Sequence, residues 1–293
     1  MIIVLLGPTC TGKSDTALKL AKLYNAEIIN GDAFQIYKEL NIGVAKPPLD
    51  YLKEVPHHLY SFVNIDKPYS IKDYQTDLRN KIDDISKRNK NIIIVGGSML
   101  YIRAGLYDYA FNDEKEEIDQ SKYDSYTNEE LHALLEKIDP EDAKKIHFNN
   151  RKRVLRALAI YETSGSSKSE IISKQSHKPI YDCMFFTRDI DRATLYEKIN
   201  KRVDYMVLNG LIDEVKDLLK DHDKSLQSLQ AIGYKEVIEY LDNKLTLDET
   251  IELIKKNTRN YAKRQMTFIR HQFEVSYYKN DDELIEIINK EIA

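Results

Sequence analysis

The chain of 293 residues has little cysteine and no apolar run long enough to cross a bilayer. Its two cysteines, Cys10 and Cys183, exclude a disulfide framework and a cysteine-based zinc site, and they favour a reducing compartment. The apolar stretch 2–6 stops at Gly7, well short of the roughly 20 residues of a membrane helix. No basic segment or cleavage site accompanies it. We therefore expect a cytoplasmic protein that does not enter the membrane.

Acidic residues are scarce in two stretches of the chain, although they outnumber basic residues overall. The net charge of −4 argues weakly against nucleic acid, but the basic residues are segregated. The stretch 144–174 has eight lysines and arginines against two acids, and 255–271 has six and no acid. These stretches could form a basic groove for nucleic acid, or they could be ordinary solvated helix faces, and both interpretations remain open.

Hydrophobic periodicity predicts an α/β fold with a parallel sheet and helices on both faces. Apolar strands are predicted at 2–6, 27–30, 92–95 and 181–187, and helices at 14–24, 71–87, 192–209, 211–221 and 247–271. After Leu106 an acidic stretch, 113–130, contains no apolar strand, and helices are predicted at 128–138, 140–146 and 151–163. The expected organisation is a core formed by 1–110 and 178–293, with a mostly helical insertion at 111–177.

One motif carries specific chemistry: a phosphate-binding loop between the first strand and the first helix. It matches G-x-x-x-x-G-K-[ST] in the residues Gly7, Pro8, Thr9, Cys10, Thr11, Gly12, Lys13 and Ser14. Backbone N–H groups and a helix N-terminus would surround a phosphate, and the Lys13 ammonium would add a positive charge. The Ser14 hydroxyl could bind Mg²⁺ directly or through water.

Features outside the loop decide which phosphate compound it holds. ATPases and GTPases usually place an Asp after another strand, but the third strand ends Ile94-Val95-Gly96-Gly97-Ser98 with no acid. A motor or switch protein is therefore disfavoured. Asp32 follows the second strand at the edge that faces the ligand, where it could act as a general base or as a helix N-cap. The amide of Gln35 could pair with an adenine edge.

Segments along nearly the whole chain resemble, in order, the motifs of the tRNA dimethylallyltransferases. The first two are Ile28-Ile29-Asn30-Gly31-Asp32-Ala33-Phe34-Gln35-Ile36-Tyr37 and Leu40-Asn41-Ile42-Gly43-Val44-Ala45-Lys46-Pro47. The others are Val55-Pro56-His57-His58-Leu59, Val95-Gly96-Gly97-Ser98-Met99-Leu100-Tyr101, Asn149-Asn150-Arg151-Lys152-Arg153-Val154-Leu155-Arg156-Ala157-Leu158, Ala231-Ile232-Gly233-Tyr234-Lys235-Glu236 and Tyr261-Ala262-Lys263-Arg264-Gln265-Met266-Thr267-Phe268-Ile269-Arg270.

The resemblance implies a P-loop, kinase-like core with a helical insertion that grips tRNA. It also implies a reaction in which N6 of the adenine just 3′ of the anticodon, position 37, attacks C1 of dimethylallyl diphosphate and diphosphate leaves. The nucleotide-binding type of loop would then hold the diphosphate, and Mg²⁺ would be the cofactor. No zinc-finger extension follows the last predicted helix, 247–271, which implies an enzyme of the bacterial type.

The resemblance also implies roles for individual residues. Asp32 matches the general base, Thr9 a contact to the oxygen that bridges the prenyl group and the diphosphate, and Arg202 a contact to the diphosphate. Positions that match tRNA contacts are Asp32, Ala33, Phe34, Gln35, Ser98, Asn150, Arg151, Lys152, Arg153 and Val154. The basic face of the last predicted helix adds Lys263. Ala33, Val44 and Ser98 depart from the usual family residues, without removing a reactive group.

The expected partners are the anticodon stem-loop of tRNA and dimethylallyl diphosphate, and the expected state is a monomer. The main rival is a small-molecule kinase with Asp32 as base towards a hydroxyl group, which would consume ATP without prenyl transfer. A non-catalytic RNA-binding or nucleotide-switch protein would bind tRNA without turnover, and it leaves Asp32 and Thr9 without a role.

Overall fold

A computed structural model describes residues 1–111, 120–174 and 176–293. The chain forms two compact units, one made of Met1–Leu106 with Tyr181–Ala293 and the other of Tyr107–Ile180. The expected insertion edges, 111 and 177, lie a few residues inside the second unit. Part of the predicted acidic stretch, 113–119, lies outside the described residues.

The larger unit contains a six-stranded sheet in which every pairing is parallel, with strand order β3-β2-β4-β1-β5-β6. The strands are β1 Ile2–Leu6, β2 Ala26–Asn30, β3 His57–His58, β4 Asn91–Gly96, β5 Cys183–Arg188 and β6 Ser276–Tyr278. The predicted parallel α/β sheet is therefore confirmed, and β3 and β6 extend it beyond the four strands expected from the sequence.

Eight of the thirteen helices in the described residues were predicted, seven of them to within one residue at each end, and the other five were not. In chain order they are α1 Lys13–Leu23, α2 Leu49–Glu54, α3 Ile71–Lys87, α4 Met99–Leu106, α5 Asn128–Ile138, α6 Pro140–Ala143, α7 Arg151–Ser164, α8 Lys168–Ser173, α9 Arg192–Leu208, α10 Leu211–Asp221, α11 Tyr234–Leu241, α12 Leu247–Gln272 and α13 Asp281–Ile292. The expectation that 247–271 is the last helix is wrong, because α13 follows it after β6.

The sheet is buried on both faces, which explains why its central strands are apolar at every position. All five residues of β1 are buried. On one face, alternate residues such as Ile3, Leu5, Ile93 and Val95 pack with α1 and with Leu284 of α13 in one cluster. On the other face α3 packs against β2, β4 and α4. The carboxyl ends of the strands meet at one edge, where parallel sheets bind their ligands.

The smaller unit is helical. A core cluster of buried apolar residues joins α5, α6 and α7: Tyr123, Leu131, Leu135, Ala143, Ile146, Val154, Ala157 and Leu158. Thr127 begins α5 with a reciprocal capping box to Glu130. The helix predicted over 140–146 ends at Ala143, and the next residues continue as a turn in which Ile146 N–H still donates to Asp142.

No helix in the described part of the chain is both long and apolar enough to span a membrane. The 26-residue helix α12 has the length, but Lys255, Arg259, Lys263 and Arg270 interrupt its apolar positions.

Candidate active site

A cavity of about 1050 Å³ opens at the carboxyl edge of the sheet in the larger unit. The phosphate loop, the turn after β2, the end of β4 and the helices α9 and α12 line it. The predicted residues Thr9, Lys13, Ser14, Asp32 and Arg202 all lie in its wall. The structure thus brings together residues that are up to 193 positions apart in the sequence.

The phosphate loop has the shape that anion binding requires. Its turn uses left-handed backbone at Cys10 (φ 67°) and Gly12 (φ 80°). Gly12 precedes α1 and no side chain caps the helix, so the first backbone N–H groups remain available to a ligand. The Thr11 hydroxyl donates to Pro8 O at 3.0 Å, a hydrogen bond within the loop that stabilises its turn.

Two cations face this loop. Lys13 Nζ donates to Pro8 O at 2.5 Å, and Arg202, on α9, donates to Thr9 Oγ1 at 3.2 Å. Burial, followed by the positive charge of Arg202, lowers the pKa of Lys13 to about 8, although the carboxylate of Asp32 acts in the opposite direction. Two positive groups held this close together favour a ligand with more than one negative charge.

Asp32 is placed by a close approach of two strands. A Cβ on Gly96 would lie 2.1 Å from the carbonyl of Gly31, so only glycine allows the ends of β2 and β4 to meet. Gly31 N–H donates to Val95 O at 2.8 Å, which fixes the register there. The residues after Asp32 form turns, so the alternative role of a helix N-cap is wrong.

The two oxygens of the Asp32 carboxylate differ. Oδ1 accepts the backbone N–H of Phe34 at 2.9 Å and that of Gln35 at 3.4 Å, as in an Asx turn. Oδ2 makes no hydrogen bond within the described residues. Burial raises the pKa of Asp32, and those two N–H groups with the charges of Lys13 and Arg202 offset this only in part. A carboxylate with one free oxygen and a raised pKa suits a general base.

Ala33, Phe34 and Ser98 meet in a second cavity of about 250 Å³, beside the first. Ser98 Oγ accepts the N–H of Ala33 at 2.8 Å, so serine supplies the acceptor at this position. Tyr261, Arg264 and Gln265 of α12 line both cavities. Ala33, Phe34 and Ser98, three of the predicted nucleic-acid contacts, therefore lie near Asp32.

Gln35 lies in the cavity wall, and the NH₂ group of its side-chain amide already donates two hydrogen bonds. Its Nε2 donates to Val44 O at 2.9 Å and to Ala45 O at 3.1 Å. Only Oε1 is left to accept a hydrogen bond from a ligand, so the side chain cannot pair with an adenine edge through both groups in this arrangement.

Gln265 was not predicted, although it joins the two halves of the site. Its Nε2 donates to Gly97 O at 2.8 Å, and its Oε1 accepts the N–H of Thr9 at 3.3 Å. Tyr261, one turn earlier, donates to the same carbonyl at 3.2 Å. A glutamine on the apolar face of α12, between buried Ala262 and Ile269, was the available signal, because buried polar groups are normally hydrogen-bonded.

The residues predicted to bind tRNA in the smaller unit have different surroundings. Lys152 and Arg153 are exposed, whereas Val154 is fully buried in the core of that unit. The Arg151 guanidinium donates to Tyr123 O at 2.6 Å and Tyr126 O at 2.8 Å. Asn150 is exposed and precedes α7 without capping it through its side chain. In the larger unit, Lys263 is exposed on α12.

A phosphate loop after β1 of a parallel sheet, facing a carboxylate after β2 on the far side of β4, defines a P-loop enzyme that acts on a phosphate compound. The family model described as IPP transferase matches residues 35–272. The chain belongs to this family of transferases.

Individual relatives agree with the family. A tRNA dimethylallyltransferase of Bacillus subtilis (strain 168) is 43% identical over 94% of this chain and 90% of its own. The solved tRNA delta(2)-isopentenylpyrophosphate transferase of Staphylococcus epidermidis is 35% identical, with a TM-score of 0.74 over 99% of this chain and 98% of its own. A eukaryotic dimethylallyltransferase, solved acting on tRNA, is 29% identical with a TM-score of 0.83 over 99% of this chain and 77% of its own.

Proposed function

We propose that the protein transfers a dimethylallyl group from dimethylallyl diphosphate to N6 of the adenine at position 37 of tRNA, releasing diphosphate. The observation that carries this proposal is the free Oδ2 of Asp32, which shares one cavity with a loop and two cations suited to a diphosphate. The relatives named above support tRNA as the acceptor, because one is called tRNA dimethylallyltransferase and another is a dimethylallyltransferase solved acting on tRNA.

The donor diphosphate would sit in the phosphate loop, between the N-terminus of α1 and the side chains of Lys13 and Arg202. As the C1–O bond of the donor breaks, negative charge grows on the bridging oxygen. Arg202 and Thr9, already hydrogen-bonded to each other, lie where they can stabilise that charge.

The acceptor step would use Asp32. As N6 of the adenine forms its bond to C1, it becomes acidic and loses one proton to Oδ2 of Asp32. Gln35 Oε1 would accept the other N6 hydrogen. The products are neutral N6-substituted adenine, diphosphate and a protonated Asp32, which returns its proton to water. The adenine would enter through the smaller cavity beside Phe34 and Ser98.

Mg²⁺ fits the phosphate loop, and we propose that Ser14 would hold it together with the diphosphate oxygens. The Ser14 hydroxyl is partly exposed, lines the cavity, and makes no hydrogen bond to the described residues, so a hard oxygen donor is available. No cluster of three or more metal-binding side chains occurs in the described chain. A bound Mg²⁺ would neutralise charge on the leaving diphosphate.

We propose that the backbone of tRNA contacts Lys152 and Arg153 of the smaller unit and Lys263 of α12. These side chains are exposed, and their positive charge suits phosphate contacts, which give affinity without sequence choice. Arg151 and Val154 would support this surface from inside the unit. We further propose that the protein acts as a monomer in the cytoplasm, where its tRNA substrate is found.

The test is transfer of radiolabelled dimethylallyl from its diphosphate to unmodified tRNA, with diphosphate release measured in the same reaction. Label in tRNA and diphosphate should appear in equal amounts, and added ATP should not be consumed. A kinase would instead consume ATP with a small hydroxyl compound and leave tRNA unlabelled. Either unlabelled tRNA or release of diphosphate without transfer would contradict the proposal.

A further inference from the structure

Two segments that resemble family motifs, 40–47 and 231–236, meet at one carboxylate that takes no part in the chemistry above. Glu214, on α10, accepts hydrogen bonds from three successive backbone N–H groups: Asn41 at 3.2 Å, Ile42 at 2.9 Å and Gly43 at 3.3 Å. The phenol of Tyr234, at the start of α11, donates to the same carboxylate. Charge-assisted bonds of this kind are stronger than neutral ones, so Glu214 fixes the backbone of 41–43.

The segment 41–46 is also fixed by the packing of Gly43 on Tyr234 and by hydrogen bonds of Lys46 at its C-terminal end. A Cβ on Gly43 would lie 2.3 Å from the ring of Tyr234, so the backbone rests directly on that ring. Lys46 Nζ donates to Lys38 O at 3.0 Å and to Asn41 Oδ1 at 3.3 Å, which closes the segment into a loop.

This loop holds the turn that carries Asp32. Its carbonyls at Val44 and Ala45 accept Nε2 of Gln35, and the N–H of Gln35 donates to Asp32 Oδ1 at 3.4 Å. Glu214 is therefore connected to the Asp32 carboxylate by hydrogen bonds to the loop 41–46, from the loop to the Gln35 side chain, and from the Gln35 N–H to Asp32.

We propose that Glu214 is a positioning residue for prenyl transfer, acting through the loop 41–46 and Gln35 to fix the orientation of Asp32. This inference rests on the proposed function. Glu214 touches no reacting atom in it. Losing its carboxylate leaves the chemistry of the site intact and loosens the geometry, and small errors in the placement of reacting groups cost large factors in rate.

The first test compares Glu214→Gln with Asp213→Asn, an exposed acid beside it on the same helix that loses the same charge. The single-turnover rate with saturating substrates should fall roughly tenfold or more in Glu214→Gln, with tRNA and donor affinities within about threefold, and stay unchanged in Asp213→Asn. An unchanged rate in Glu214→Gln, or a loss confined to thermal stability, would overturn the inference.

The second test asks whether the effect passes through Gln35. Gln35→Met keeps the side-chain length and removes the amide. If Glu214 acts through Gln35, the double variant should be no slower than the slower single variant, because coupled residues are not additive. Multiplied losses would show independent roles and would overturn the inference.

A third measurement needs no activity. In Glu214→Gln, amide hydrogen exchange should become faster at 41–43 and also at Phe34 and Gln35, whereas Asp213→Asn should change neither. Faster exchange at 41–43 alone would overturn the coupling. If the wild-type protein transfers no dimethylallyl group, the proposed function fails, and this measurement still decides whether Glu214 controls the turn.

Discussion

The position of Asp32 is fixed by the glycines at the ends of β2 and β4 and by hydrogen bonds to Asn30. Gly31 and Gly96 let two strands approach, and Asn30 donates to Asp32 O at 3.0 Å while its Oδ1 accepts the N–H of Asp32 at 2.9 Å. The carboxylate is thus held in a buried place where its pKa is raised but its Oδ2 stays unbonded. An unbonded oxygen and a raised pKa are the properties that the proposed general base requires.

Replacing Asp32 by Asn should separate chemistry from binding. The amide keeps an oxygen for the N–H groups of Phe34 and Gln35, but it cannot take a proton. We expect turnover to fall by roughly 10²-fold or more, with tRNA affinity within a few-fold, as single-turnover and binding measurements would show. Asp50→Asn, an exposed acid on α2, is the matched control. Unchanged turnover in Asp32→Asn would remove Asp32 from the mechanism.

The pH dependence of kcat/KM for the donor should have two limbs set by Asp32 and Lys13. Because burial raises the pKa of Asp32, activity should rise with pH through a value above the usual carboxyl range as the base loses its proton. Because the pKa of Lys13 is lowered to about 8, activity should fall above about pH 8 as the loop loses a positive charge.

Lys13→Arg tests the assignment of the upper limb, because arginine stays charged at all accessible pH values. Its activity should no longer decline near pH 8, even if it is lower throughout. An upper limb that stays at the same pH in Lys13→Arg would assign it to another group.

The residues of the site were predictable to different degrees. The phosphate loop and Asp32 stand next to predicted strands, so local sequence was enough to place them at the same edge of the sheet. Arg202 entered through the family resemblance alone, and the structure brings it to the loop. Gln265 was missed, because only the packing of α12 against the end of β4 shows which polar residue on that helix is buried.

Among the elements, α7 places its basic residues in two kinds of surroundings. Arg151 points inward and joins the carbonyls of Tyr123 and Tyr126, whereas Lys152 and Arg153 are exposed one and two positions later. Successive residues on a helix point in directions about 100° apart, which explains how neighbours in one basic run serve different purposes. Arg151 therefore does not belong to the exposed face of this helix, and a binding role in this part of the run is a prediction only for Lys152 and Arg153.

Replacing both Lys152 and Arg153 by Gln should weaken tRNA binding. The dependence of binding on salt should also become shallower, because a protein with fewer phosphate contacts releases fewer counterions from tRNA. The control is Lys144→Gln with Lys145→Gln, an exposed basic pair in the same unit with the same charge change. Equal weakening in both double variants, or no change in the salt slope of the first, would contradict this placement of the tRNA surface.

Arg151 should behave as a structural residue. Arg151→Ala removes a charged donor from two backbone carbonyls, and we expect it to cost about 1–2 kcal/mol in the free energy of unfolding. Arg153→Ala, two positions along on the same helix, should leave stability nearly unchanged. Denaturant unfolding of both variants checks this, and equal stability would show that the bonds of Arg151 contribute nothing.

The bounds of the long amphipathic helices were predicted to within about one residue, because their buried apolar residues recur at helical spacing. The helices at 71–87, 128–138 and 211–221 match α3, α5 and α10. Short elements escaped prediction: β3 has two residues and β6 three, too few for an alternating pattern. The helix α13 does show an apolar spacing, at Leu284 and Ile288, but its acidic first turn obscures it.

At the scale of the whole molecule, the parallel sheet determines where the chemistry lies. The order of strands puts β1, with the phosphate loop after it, beside β4, and β4 beside β2, with Asp32 after it. This order follows from long-range pairing, which periodicity in one sequence does not specify. The sequence predicted four of the six strands and the edge, and the structure adds that Gly97 and Gln265 connect the two sides of the site.

The sequence changes from alternating strands and helices to helices alone after Leu106, and the contacts of the structure separate the unit Tyr107–Ile180 from the rest. The edges were harder to predict, because the boundary residues of each unit carry no distinctive composition. Tyr107 and Pro179 pair as an isolated bridge at the base of the smaller unit, a contact between positions far apart in the sequence.

The central claim is that the phosphate loop holds a prenyl diphosphate and that the acceptor is tRNA. Its most direct test is mass spectrometry of unmodified tRNA incubated with the protein, Mg²⁺ and dimethylallyl diphosphate, without ATP. We expect a gain of one dimethylallyl group, mapped by nuclease digestion to the adenine 3′ of the anticodon. No gain of mass on tRNA, together with ATP turnover on a small hydroxyl compound, would contradict the claim and favour a kinase.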